Sequence, residues 1–246
     1  MRITKSTNRF SGSADHHRSP HQVRRRWKSG ARHELEWWKR WLRSRGGEWP
    51  EDYAFRVNPR SPLAAEHAAL LSHVSCRGLR VLDVGCGPLT VVGKTLSQRT
   101  LTITAIDAFA DEYNALLASL RIAPPVAAER CQAEAIGDQF PASTFHLVNA
   151  RNCLDHMYDP IAALDGMLKV LRPRCYVFLT HAANEGGNAK YHGLHQWDLS
   201  HRNGRFLISR RGYTRDVTAH LLNSASVTIV PREHGWFSVK IRKRAR

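Results

Sequence analysis

Leu79-Arg80-Val81-Leu82-Asp83-Val84-Gly85-Cys86-Gly87-Pro88 decides the fold of this chain. An apolar run of strand length ends in an acid and two glycines, the composition of a strand entering a tight turn that opens a helix. About 20 residues further on, Leu101-Thr-Ile-Thr-Ala-Ile106 is a second apolar strand, and it ends in Asp107. Glycines let a backbone approach a ligand closely, and a carboxylate at the next strand end accepts hydrogen bonds from ribose hydroxyls. A glycine turn alone also occurs for packing between strand and helix, so the pairing of turn and acid carries the reading.

Two details narrow the ligand. The acid precedes the first glycine, as Asp83-x-Gly85-x-Gly87, whereas dinucleotide sites place their glycines first. The third glycine of a pyrophosphate loop is missing, because Pro88, Leu89 and Thr90 follow. Nothing here forms an extended phosphate cradle. A ligand with ribose and adenine but no phosphates fits, and S-adenosylmethionine is such a ligand.

Val81-Leu-Asp-Val-Gly-Cys-Gly-Pro88 resembles the first motif of class I S-adenosylmethionine-dependent methyltransferases. Further matches follow in order: Asp107 at the ribose-binding acid, Cys131-Gln132-Ala133-Glu134 at the adenine-side motif, and the stretch from Phe145 to His156 at the fourth strand and substrate-side segment. Leu168-Lys-Val-Leu-Arg-Pro-Arg174 is similar to the leader into the fifth strand. The resemblance covers residues 79–181 and departs from the family at Gln132, where many members carry Asp, and at His146, where Phe-Asp is common. Gln132 still offers an amide oxygen to an adenine amino group. The stretches Gly85–Thr90, Ala110–Asn114, Leu154–His156 and His195–Asp198 together resemble a bacterial subgroup, some of whose members act in sugar or surface-glycan pathways.

The family implies an α/β fold, a Rossmann-like sheet that is mostly parallel with an antiparallel last strand and helices on both faces. Ligands of such sheets bind beyond the carboxyl ends of the strands. The cofactor-side set is therefore Asp83, Gly85, Cys86 and Gly87, then Asp107 and Ala108, then Gln132, Ala133 and Glu134, with Ala150 and Arg151 after the fourth strand. Glu134 has capping as an equally weighted role, and Tyr113 is read as core.

Alternation from Leu79 onward predicts strands at 79–84, 101–106, 125–131, 144–150 and 175–180, and helices at 89–98, 109–121 and 159–171. A strand at 205–209, a helix at 214–223 and strands at 226–230 and 236–241 follow; the resemblance supplies the pairing of the last two. Residues 1–30 read as a basic disordered tail and 31–75 as a helical extension. The methyltransferase domain spans 76–246, with a substrate-side insert at 182–212. In the extension, Leu35, Trp38 and Leu42 share a helical face flanked by Trp37 and Trp41, a packing pattern more often than a stacking platform. Gly46-Gly47 stops this helix, and Ser61-Pro62 starts another that runs to about His73.

The 246 residues carry a formal charge of +16, but much of the excess lies in the first 30 residues and in the run from Lys240 to Arg246. Solvated basic ends give a general attraction to polyanions, not a shaped nucleic-acid groove. No apolar run approaches the roughly 18 residues of a membrane span. Pro20 and neighbouring histidines spoil an amphipathic transit helix. Five scattered cysteines (Cys76, Cys86, Cys131, Cys153, Cys175) have neither metal nor disulfide spacing and suit a reducing, cytoplasmic setting.

Methyl transfer from a sulfonium needs alignment and exclusion of water, and a base only where the acceptor must lose a proton. His156 after the fourth strand, His181 at the end of the fifth and His195 in the polar-aromatic run Tyr191–Asp198 stand where such a base belongs. His192, His195 and Asp198 could form a metal set, but a His pair at i, i+3 is a frequent coincidence, and no metal is expected. The function these readings favour is methyl transfer to O or N of a small-molecule or saccharide-type acceptor. An RNA-modifying enzyme is the alternative that the charge invites, yet Asn149-Ala-Arg-Asn152 stands where base-amine methylases carry Asn/Asp-Pro-Pro-Tyr/Phe. A non-catalytic S-adenosylmethionine-binding protein is the third reading, with an intact cofactor edge against it.

Overall fold

The computed structural model describes residues 20–97 and 99–245. In chain order its elements are α1 (Pro20–Arg43), α2 (Pro50–Val57), α3 (Ala65–Leu71), β1 (Gly78–Val84), β2 (Thr100–Asp107), α4 (Ala110–Ser119) and β3 (Ala128–Arg130). Then follow α5 (Ile136–Gln139), β4 (Phe145–Arg151), α6 (Pro160–Val170), β5 (Leu171–Ala182) and α7 (Glu185–Asn188). The chain ends with β6 (Asp198–Arg202), β7 (Arg205–Arg210), β8 (Tyr213–Asp216), α8 (Val217–His220), β9 (Ala225–Pro231) and β10 (Trp236–Lys243).

Seven strands form one sheet in the order β3-β2-β1-β4-β5-β10-β9. β1 pairs in parallel with β2 and β4, and only β10 runs antiparallel to its neighbours β5 and β9. The expected Rossmann-like sheet with an antiparallel last strand is therefore present. Central strands covered on both faces are mostly apolar, and β4 is buried from Phe145 to Ala150, with His146 and Asn149 its two polar residues. α6 forms where Asp159 accepts hydrogen bonds from the Ile161 and Ala162 N–H groups and Pro160 takes the first helical position. Its Ala163, Leu164, Met167 and Val170 are fully buried.

The strand order reverses direction between β1 and β4, so the carboxyl ends of β1, β2, β3 and β4 flank one crevice. Three features differ from the sequence reading. Of the helix expected at 89–98, the described residues 89–97 form none. The Lys94 and Thr95 N–H groups bond to the Ser61 carbonyl and the Leu63 N–H to the Thr95 carbonyl, so these groups serve a tertiary contact instead of a helix. Gly93 permits it, since a Cβ there would meet the Pro62 carbonyl at 2.0 Å.

Helix α1 starts at Pro20, inside the segment read as tail. Leu42 and Trp41 at its other end are buried beside Leu89 and Leu117. The disorder expected of residues 1–19 lies outside the described residues. Finally, residues 213–216 are a strand, not the start of a helix, and β6-β7-β8 is a separate antiparallel sheet. Asn203 and Gly204, both with positive φ, supply the two-residue hairpin turn between β6 and β7. This sheet makes up much of the insert between β5 and β9.

Candidate active site

A cavity of about 710 Å³ opens over the carboxyl ends of the strands. Gly85, Cys86 and Gly87 form its floor, Asp107 to Phe109 and Cys131 to Glu134 one wall, and Arg151 to Cys153 the floor beyond. Both turn glycines have positive φ, +62° and +63°. A Cβ on Gly85 would sit 2.6 Å from the Cys153 side chain, and one on Gly87 would sit 2.7 Å from the Trp38 ring. No other residue fits either position.

Asp107 fastens the turn. Its Oδ2 accepts the Gly87 N–H at 3.0 Å and its Oδ1 the Phe109 N–H at 2.9 Å. A carboxylate has about four lone-pair sites, so two remain for hydroxyl donors in the cavity. Burial pushes its pKa up to about 6, against the pull of those two N–H groups.

Asp83 lies elsewhere. It does not line the cavity: Oδ2 accepts the Thr90 hydroxyl at 2.5 Å and Oδ1 the Asn149 amide at 2.7 Å, with His67 beyond Asn149. Burial raises its pKa, and these hydrogen bonds oppose the rise. The acid of the first motif thus knots the underside of the turn. Ala150 is fully buried in β4 and does not line the cavity, whereas Arg151 does and stands 4.0 Å from Asp52, over the Trp236 ring. Glu134 lines the wall, but its Oε1 accepts the Tyr158 and Asp159 N–H groups at 2.9 and 3.1 Å. Gln132 accepts the Tyr158 hydroxyl at 3.2 Å.

The opposite wall carries titratable groups. His195 Nδ1 lies 2.6 Å from Asp155 Oδ2 and 3.2 Å from His156 Nε2. His156 Nε2 is 3.5 Å from the same carboxylate oxygen. Asp155 is 1% exposed. Burial pushes its carboxyl up, but the neighbouring His156, the His195 hydrogen bond and His181 outweigh burial, and its pKa falls below the ordinary value. The same hydrogen bond raises His195, against burial.

The contacts are held by the chain around them. The Gln196 N–H bonds to the Asp155 carbonyl, and Trp197 Nε1 donates to the Met157 carbonyl. His181 is 1% exposed and is not part of the cavity wall. Burial lowers its pKa to about 4. The set His192, His195 and Asp198 does not converge: Asp198 instead accepts the Gly187 N–H and the Tyr191 hydroxyl, both at 2.6 Å.

Sequence reasoning missed much of the roof. Trp27, assigned to the tail, stacks on Phe109 at 4.7 Å and donates Nε1–H to the His156 carbonyl. Trp38, Trp41, Trp49 and Trp236 also line the cavity, as do Asp52, Arg56 and Glu185. The tryptophan spacing in α1 is itself the signal; it marked a packing face, and that face packs onto the cavity.

The sheet order, the antiparallel strand and the glycine turn define a class I S-adenosylmethionine-dependent methyltransferase fold. A family model described as a methyltransferase domain matches residues 52–220, well over half of the chain, and the chain belongs to that family, with S-adenosylmethionine as cofactor. Among curated proteins it is similar to the ubiquinone biosynthesis O-methyltransferase of Pseudomonas entomophila (strain L48), 32% identical over 108 residues, 44% of this chain and 46% of that protein. The enzyme of the same name from Xanthomonas euvesicatoria pv. vesicatoria (strain 85-10) is 32% identical over 127 residues, 50% of this chain and 52% of that protein.

The chain thus spans about half the length of these curated relatives. Among solved structures, Burkholderia thailandensis 1,6-didemethyltoxoflavin-N1-methyltransferase with bound S-adenosylhomocysteine aligns over 93% of this chain and 92% of its own, with a TM-score of 0.50 and 17% identity. That likeness concerns the fold. No helix among the described residues is long and apolar enough to cross a membrane.

The cavity residues fit the cofactor. The turn leaves no room for a Cβ at either glycine, Asp107 keeps free lone pairs, and the wall from Cys131 to Ala133 lies at the next strand end, β3.

Proposed function

We propose that this chain methylates a hydroxyl oxygen of a small-molecule acceptor. One observation carries the reading: a single cavity joins the glycine turn and Asp107 to His156 and His195, with Asp155 buried behind His195. When bound, S-adenosylmethionine supplies a methyl group already activated on a sulfonium. Asp107 would hold the ribose, Gly85 and Gly87 the methionine part, and the segment from Cys131 to Ala133 the adenine.

A hydroxyl, unlike an amine free base, must lose a proton as it attacks, and the cluster of Asp155, His156 and His195 is suited to draw that proton off. Trp37 and Trp49, 39% and 55% exposed, give the mouth flat apolar faces that suit an aromatic ring or the face of a sugar. The names of the curated relatives support an oxygen acceptor.

The test is methyl transfer from radiolabelled S-adenosylmethionine into a fractionated extract. Label in small hydroxylated metabolites or saccharides, at a linkage stable to mild base as ethers are, is the expected result. Label confined to RNA overturns the acceptor assignment, and absence of both transfer and cofactor binding overturns the enzyme assignment.

A further inference from the structure

The cluster on the wall opposite the glycine turn is built as a metal-ligand set. Asp155 Oδ2, His156 Nε2 and His195 Nδ1 stand 2.6, 3.2 and 3.5 Å apart. A triangle of these sides fits on a sphere of the radius of a first-row metal–ligand bond, about 2.0–2.2 Å, so one ion can reach all three atoms. Two imidazole nitrogens and one carboxylate oxygen form the facial arrangement that first-row divalent ions adopt with further positions open.

Protons satisfy the same three atoms poorly. His195 Nδ1 has one hydrogen to give, and Asp155 takes it at 2.6 Å. His156 Nε2 then faces an already committed N–H at 3.2 Å, while its own path to the carboxylate is 3.5 Å long.

A second observation points to a missing cation. Asp155 Oδ1 is buried without a hydrogen-bond partner, and so is Oε2 of Glu185, which lines the cavity with His156 and His195. Among the described residues neither carboxylate is paired with a lysine or arginine. Each of these oxygens thus keeps a buried lone-pair face that no donor among the described residues fills, which is costly without a cation or another donor.

We propose that Asp155, His156 and His195 bind one divalent first-row cation, with Glu185 as a further oxygen donor at its edge. Binding requires His195 in the tautomer that frees Nδ1 and turns its Nε2–H outward. The role of the ion rests on the methyltransferase reading: a cation lowers the pKa of a hydroxyl that approaches it, as it does for water. Its binding does not rest on that reading.

The test uses the full chain stripped with EDTA and titrated with Co2+, followed by visible absorption, with Zn2+ as competitor. One equivalent should bind saturably. His156→Gln and His195→Gln should each weaken binding by at least about tenfold, the loss that removal of even an outer partner brings. His234→Gln, on the exposed turn before β10, should leave binding unchanged and controls for adventitious surface sites. Thermal melts of both site variants identify any loss due to misfolding. No saturable binding, or equal binding by a folded double variant, overturns the proposal. Methyl transfer that persists undiminished in EDTA, with no Co2+ bound, removes the cation and leaves the enzyme reading intact. Co2+ bound without any methyl transfer does the reverse.

Discussion

The glycine-turn side of the cavity is made from the ends of three neighbouring strands, β1, β2 and β3. The histidine side is made from pieces far apart in the chain: the turn Leu154–His156, residues 185–195 and the first half of α1. On the first side backbone groups do most of the work, with Asp107 bridging two N–H groups and glycines clearing space. On the second, side chains meet side chains across 39 or 40 residues of sequence. Backbone-built sites depend on conformation, so they tolerate little change at the glycines. Side-chain-built sites depend on docking, so they can be disabled without disturbing the sheet.

The sharpest break between the two sides should come from His195→Ala. It should lower kcat by about 10²- to 10⁴-fold, the range of a lost proton-transfer group, with cofactor affinity unchanged in calorimetry. A matching loss of cofactor binding would mean that the two sides are not separate. Gly85→Ala should do the opposite. With φ at +62° and Cys153 at 2.6 Å, it should cost about 1–3 kcal/mol in urea unfolding and remove measurable cofactor binding.

Trp27→Ala tests whether α1 belongs to the site. Losing the stack on Phe109 and the bond to the His156 carbonyl should cost about 1–3 kcal/mol and weaken acceptor binding more than cofactor binding, read as a rise in acceptor KM.

The smallest effect is a pH dependence. Asp107 titrates near 6 in the folded chain, so it is ionised above that value and protonated below it. Cofactor affinity should be full at pH 7 and fall by up to about tenfold as pH drops to 5. The stability contribution has the opposite sense: an acid raised by burial favours the folded state at low pH, and this is lost as pH rises through about 6. Asp107→Asn should flatten both profiles, measured by calorimetry and urea unfolding.

Much of the sheet was legible because buried parallel strands are mostly apolar, and Leu79–Val84, Leu101–Ile106 and Phe145–Ala150 each carry four apolar residues of six. The helix expected at 89–98 was not, because its backbone is bonded to Ser61 and Leu63, a contact that no local pattern announces. Strand β6 escaped notice although Asn203-Gly204 is a hairpin signal, because its partner strand was read alone. Trp27 was lost to the tail because basic neighbours dominate its composition.

By itself the sequence determined the turn, the acid at the end of β2 and the succession of β1 to β5 along the chain, since each rests on local conformation or on an alternation of apolar runs. Only the tertiary structure decided that Asp83 faces Thr90 and Asn149, away from the cavity, and that His195 meets Asp155 and not Asp198. The physical reason is range. Conformational preference is written residue by residue, whereas the partner of a buried charge is whichever group the packing of distant segments brings within hydrogen-bond reach.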